Sequence, residues 1–372
     1  MKKAAEKIIE KSSSIYSKTA VGRAGETLKK TSISIDNPDA HLEALKALSY
    51  WRACHITPLD HAVSELAVVT QKDKAAIIAK RLKRTPSIIA KLNRESGMLL
   101  QNMQDVGGCR VVLRSLRHVN KVRRALKTRG IYRERDYIQT PKKDGYRGVH
   151  MIGKFPGEQG NTAFVIEIQL RTEVQHAWAT AVEIIDLFTK QALKNDDGRP
   201  DWLNFFSAAG EAFSELDGVV INDESHMESC AEVARLARKL AVLDKFEAYN
   251  TSLRILDEEG IKWVEGYYLI SIDTREKTLR YDFFGIPEYT NALDEYLQKE
   301  RSSANNPEVI VALVSTHSLS SLKEAYPNYF ADAHKFVQHL NTIIARHEYA
   351  NPNWIKRILL GLSSDKRPRI PE

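Results

Sequence analysis

Three clusters in the first half of the chain have the residue types and spacing to handle phosphate. The densest covers 135–150, RDYIQTPKKDGYRGVH. A turn at 141–145 sits among Lys142, Lys143 and Arg147, with Tyr146 just ahead of a strand-like run. Such a loop can offer the tyrosine ring as a stacking plate for a base and the cations as phosphate holders. The same composition also fits a solvated basic hairpin with Tyr146 packed on a sheet.

The second cluster is acidic. Asp105 precedes the apolar run CRVVL at 109–113, and Glu167 lies inside VIEIQL at 165–170. A glutamate flanked by isoleucines on a strand is costly unless it is paired or metal-bound. Strand alternation puts Glu167, Gln169 and Arg171 on one face and Ile166, Ile168 and Leu170 on the other. Two carboxylates on neighbouring strands can hold a magnesium ion when a triphosphate supplies further oxygens. An ion pair of Glu167 with Arg171 or Arg110 is the structural alternative. In the third cluster, RLKRTPSIIAK at 81–91, the cations Arg81, Lys83, Arg84 and Lys91 flank a helix start at Ser87. Free amides and the helix dipole favour an anion there, although a solvated basic helix face has the same look.

These residues need elements to hold them. Apolar periodicity predicts helices over 40–52, 59–70, 74–82, 88–97 and 119–129, and strands at 109–113, 149–155 and 163–170. Helix follows at 173–193, 202–216 and 225–256. Beyond about 258 the pattern changes to a hairpin (262–272 and 277–284), a helix at 286–299, a strand at 309–314 and helices at 319–325 and 330–347. This ββαβαα unit reads as a separate small α+β domain.

The ordered segments RLKRTPSIIAK, DVGGCRVV, RDYIQTPKKDGYRGVH and VIEIQLRTEVQHAWATAVE together resemble the synthetase domain of the RelA/SpoT homologues. The resemblance implies an α+β fold with a mixed, nucleotidyltransferase-like sheet flanked by helices. It implies pyrophosphate transfer from ATP to a ribose 3′-hydroxyl, with Mg2+ held by Asp105 and Glu167. Glu167 would also activate the attacking hydroxyl, with Gln169 orienting it. Arg81 and Arg117 would clamp adenine, and Lys83, Ser87 and Lys91 would cradle the triphosphate. Arg135, Lys142 and His150 would meet the acceptor, and Tyr146 would stack on its base.

The acceptor is either tRNA or GDP/GTP. The net charge is +7, but residues 1–250 carry +9 and the remainder −2, an excess that favours tRNA. Residues 258–350 hold no cysteine, so an ordinary zinc finger is excluded. They do hold Tyr326-Pro327-Asn328-Tyr329, which resembles the Y-x-x-Y element of the fused toxin–antitoxin, CapRel-like members of the family. There a pseudo-zinc-finger domain occludes the ATP site until a phage capsid protein binds; a plain packing turn is the alternative. The expected organisation is a toxin domain at 1–257, a regulatory domain at 258–350 and a tail at 351–372. A catalytically dead RNA-binding module is the reading from another class. No apolar run approaches a membrane span, and three scattered cysteines suit a reducing cytoplasm.

Overall fold

The computed structural model of the chain describes residues 16–29, 37–83, 85–158, 162–189, 199–219, 223–258, 266–273, 276, 278–303, 309–315 and 329–350. Tyr326, the expected helix at 319–325, Arg84 and the tail at 351–372 lie outside them. The architecture is α+β, and the chain divides into two compact units. The first contains 1–139 and 148–171; the second contains 140–147 and 172–372. The expected boundary at 257 falls inside the second unit.

Unit one begins with helices α1 (Lys18–Lys29), α2 (Pro38–Ala53) and α3 (Ile56–Thr70). Asn37 caps α2 by accepting from the Ala40 amide at 3.0 Å, with Pro38 in the first turn. Strand β1 (Ile77–Leu82), helix α4 (Thr85–Arg94), strand β2 (Gly107–Leu113) and helix α5 (Leu116–Lys127) follow. Strands β3 (Tyr132–Asp136), β4 (Val149–Pro156) and β5 (Ala163–Thr172) complete a five-stranded sheet of order β1-β2-β5-β4-β3. The pairs β1/β2, β3/β4 and β4/β5 are antiparallel. Val21, Leu28, Leu48, Trp51, Ile88 and Leu92 belong to one buried cluster beside the sheet.

The expected helix at 74–82 is corrected: its second half is β1. Ala79, Lys80 and Arg81 are good helix formers, but β2 presents a full edge, and six consecutive residues of β1 pair with it. Strand β3 was not expected either, because YRERD has no apolar alternation.

Unit two contains α6 (Glu173–Thr189), α7 (Pro200–Ala212), α8 (Asp223–Lys239) and α9 (Val242–Glu258). The expected single helix at 225–256 is broken at Ala241, which has φ 48. Strands β6 (Gly266–Asp273), β7 (Thr278–Gly285) and β8 (Val309–Ser315) form an antiparallel sheet of order β7-β6-β8. Leu269 and Leu313 pack on Ala292 of α10 (Tyr289–Ser303). The last helix, α11 (Tyr329–Ala350), buries Phe336 among Phe205, Phe206, Phe213 and Phe246, so it belongs to the core of this unit.

Candidate functional site

In unit one, strand register decides which side chains share a face of the sheet. A Cβ on Gly107 would meet Ile166 Cδ1 at 2.7 Å, so Gly107 lies on the face of Ile166. Gly108 and Arg110 therefore share the other face with Glu167, Gln169 and Arg171. Arg81 opposes Gly108 and Ala79 opposes Arg110, which makes Arg81 and Arg110 diagonal neighbours. His150 opposes Gln169, and Arg135 opposes His150. All five strands thus supply polar side chains to one face.

Glu167 lies deep on that face. His150 Nδ1 is 3.1 Å from its Oε2, and Gln169 Nε2 donates to its Oε1 at 2.8 Å. Arg171 in turn donates to Gln169 Oε1 at 2.7 Å, which fixes the amide's orientation. Burial alone would push Glu167 up, but His150, Gln169 and Lys91 outweigh it and hold the carboxyl down at about 2. Asp105, ahead of β2, accepts from Lys83 Nζ at 2.9 Å and Lys91 Nζ at 3.0 Å. Burial opposes ionisation there too, and the two lysines hold the carboxyl below its ordinary range. Lys83 itself is lowered by burial against the pull of Asp105. Lys91 therefore serves both carboxylates. It stands one turn beyond Ser87 on α4, so the helix start points its cation toward the acidic pair.

Among the described residues, no group of three or more His, Cys, Asp or Glu side chains is arranged to hold a metal. The protein offers Asp105 and Glu167 as ionised oxygen donors. Each of their four oxygens already meets a side-chain partner: Lys83 and Lys91 on Asp105, His150 and Gln169 on Glu167.

Arg135 is exposed and donates to Gln104 Oε1 at 3.3 Å. Arg117 is exposed on α5, a helix whose Arg123 pairs with Glu134 on the opposite face of the sheet. The arginine beside Arg81 is Arg110, which the sequence offered only as an ion-pair partner. Its relation to Arg81 depends on pairing register, which no local pattern carries.

In unit two, the segment 140–147 makes its own compact turn. Lys142 N donates to Tyr146 O at 3.2 Å, and Tyr146 N donates to Asp144 Oδ1 at 2.9 Å. Tyr146 is buried, with Lys142 Nζ 4.8 Å over its ring and Trp178 edge-on at 6.3 Å. Lys143 is exposed, and its carbonyl accepts from Ser207 Oγ at 3.0 Å. Arg147 was expected to hold phosphate. Its guanidinium instead donates to Gly210 O at 3.0 Å and to Glu211 Oε2 at 2.6 Å. Tyr329 opens α11.

Residues 80–185 match the family described as a region found in RelA/SpoT proteins. The match covers less than a third of the chain. Over 110 residues the chain is 32% identical to GTP pyrophosphokinase YjbM of Bacillus subtilis, covering 28% of this chain and 52% of that protein. It is equally similar, 32% over 110 residues, to GTP pyrophosphokinase YwaC of the same organism, covering 27% and 52%. The chain therefore spans about half the length of the curated relatives it matches. The crystal structure of small alarmone synthetase 1 from Bacillus subtilis bound to its product pppGpp is 27% identical, covers 45% of this chain and 93% of that one, and superposes with a TM-score of 0.38, too low to bear on the fold. Among the described residues, no helix is long and apolar enough to cross a membrane.

Proposed function

We propose that the RelA/SpoT region transfers pyrophosphate from ATP to a ribose 3′-hydroxyl. The observation that carries this reading is that Lys91 pairs with Asp105 at 3.0 Å while His150 and Gln169 hold Glu167 on a sheet face rich in arginine. Arg81 is suited to stack on adenine; its diagonal neighbour Arg110 is buried, and Arg117, the expected second plate, sits on a helix that packs on the opposite face. Lys83, Ser87 and Lys91 bind triphosphate oxygens. The ribose oxygen attacks the β-phosphorus in line, and AMP departs with the electron pair of the bridging oxygen. The hydroxyl proton passes to Glu167 as the new bond forms. Held by Gln169 and His150, the same carboxylate also orients the hydroxyl. A magnesium ion bound with ATP, with Asp105 and Glu167 as its proposed protein ligands, would supply charge neutralisation on the transferred oxygens.

For the acceptor we favour tRNA. The exposed cations Arg117, Lys121 and Arg124 recur along one side of α5, and the positive excess of residues 1–250 exceeds what a mononucleotide needs. GDP or GTP is the second reading, favoured by the curated relatives' name, GTP pyrophosphokinase. In either case Tyr146 stacks on the base, and Arg135, Lys142, Lys143 and His150 meet phosphate and ribose. With γ-labelled ATP, label must appear in tRNA or in a guanosine nucleotide; label in neither overturns the assignment.

The proposal extends to translation arrest held in check by residues 258–350 through Tyr326 and Tyr329, with release by a phage protein. Growth inhibition by the Y326A/Y329A double variant, absent with the wild type, would support it. Point variants are the cleaner test, because a cut at 257 also removes Phe336 from the core of unit two.

A further inference from the structure

We propose that Arg147 and Glu211 form a positioning pair that docks loop 140–147 onto α7 and so presets the acceptor plate. The inference rests on the reading of Tyr146 as that plate. It assigns to Arg147 a task other than phosphate binding and brings in α7, which lies outside the RelA/SpoT region at 80–185.

The loop is fastened to this one helix at several points along its length. Ser207 Oγ donates to the Lys143 carbonyl at 3.0 Å. At the far end, Arg147 Nε donates to Gly210 O at 3.0 Å and Nη2 to Glu211 Oε2 at 2.6 Å. Between them the two backbones touch. A Cβ at Gly210 would lie 2.2 Å from Gly145 O, and a Cβ at Gly145 would lie 2.6 Å from Phe206 O. Gly145 also has φ +90, so this contact depends on glycine at both positions. Trp178 ties in from α6: its Nε1 donates to Phe206 O at 2.9 Å while its ring meets Tyr146 edge-on.

The Arg147 side chain is 7% exposed and that of Glu211 25%. A cavity of about 440 Å³ lies alongside, walled by Lys142, Gly145 and Arg147 from the loop, and by Asn204, Ser207 and Glu211 from α7. With the guanidinium turned toward α7, the loop has open volume on its flank, and the ion pair supplies a hold that backbone contact alone lacks. A loop held this way meets its ligand without first being ordered, which lowers the cost of binding.

The test compares Glu211→Ala with Glu211→Asp in the full chain, with acceptor and ATP varied separately. Glu211→Ala should raise the KM for acceptor about tenfold or more, leave the KM for ATP unchanged, and be largely rescued by Glu211→Asp. Limited trypsinolysis reads docking without activity: cleavage after Lys142 and Lys143 should speed up about tenfold in Glu211→Ala and return toward wild type in Glu211→Asp. Equal rises in both KM values would indicate general loss of packing and overturn the proposal, as would an unchanged acceptor KM. If the wild type transfers no pyrophosphate, the proposed function falls separately. In that case faster cleavage of the alanine variant supports docking, and unchanged cleavage overturns it.

Discussion

Two half-buried carboxylates, one in each unit, occupy opposite environments. Glu167 on β5 meets His150 and Gln169 and feels Lys91, and it is held down at about 2. Asp217 in unit two accepts through one oxygen, from Thr172 Oγ1 at 2.7 Å and Gln175 Nε2 at 3.1 Å. Burial dominates there, the neutral donors and Arg147 recover only part of the loss, and the carboxyl is pushed up to about 6. Both groups are hydrogen-bonded. What separates them is cationic character close to one and further from the other. The difference lies in the partners: an imidazole, an amide and a nearby lysine at Glu167, a hydroxyl and an amide at Asp217.

The largest expected effect that sharpens this contrast is Glu167→Gln. Pyrophosphate transfer in single-turnover assays should fall about a thousandfold with the circular dichroism unchanged. An unchanged rate would break the contrast outright. Lys91→Met comes next. It removes the cation shared by Asp105 and Glu167, and kcat/KM for ATP should fall about a hundredfold. The Glu167 carboxyl, followed by NMR titration, should move upward.

Asp217→Asn carries the smallest effect and the opposite sign. Its raised folded value, about 6 against an ordinary 3.8, means that the ionised aspartate destabilises the fold. The penalty is absent below the ordinary value and grows as pH rises through the folded one. The asparagine can accept both hydrogen bonds on one oxygen, so denaturant melts should show a gain of about 1–3 kcal/mol at pH 8 and none near pH 4. Glu167 behaves in reverse. Its depressed value gives stability that is complete above 4.5 and lost as pH falls toward about 2. Acid melts of wild type and Glu167→Gln should therefore converge in that window.

The family resemblance was legible in the sequence because it lies in short segments. The segment 80–185 that matches the RelA/SpoT family nearly coincides with the ordered motifs, and β2, β4 and β5 showed as β-branched runs. Strand β1 did not, because its Ala, Lys and Arg residues prefer helix until an edge offers them partners. Strand β3 stays silent because its inward Glu134 is satisfied by Arg123 rather than by apolar packing. Arg147 was singled out by residue type, but its partner Glu211 lies 64 positions further on, and no local pattern joins them. Arg110 next to Arg81 likewise depends on register, which is a property of the paired strands and not of either segment.

Strand β5 is the last strand of its sheet in chain order, yet it sits third, between β2 and β4. It also carries Glu167. The first four strands to leave a ribosome therefore face a gap where their central member belongs, and the sheet cannot close until about residue 172 has emerged. Closing that gap joins partners distant along the chain, which makes it a slow step in folding.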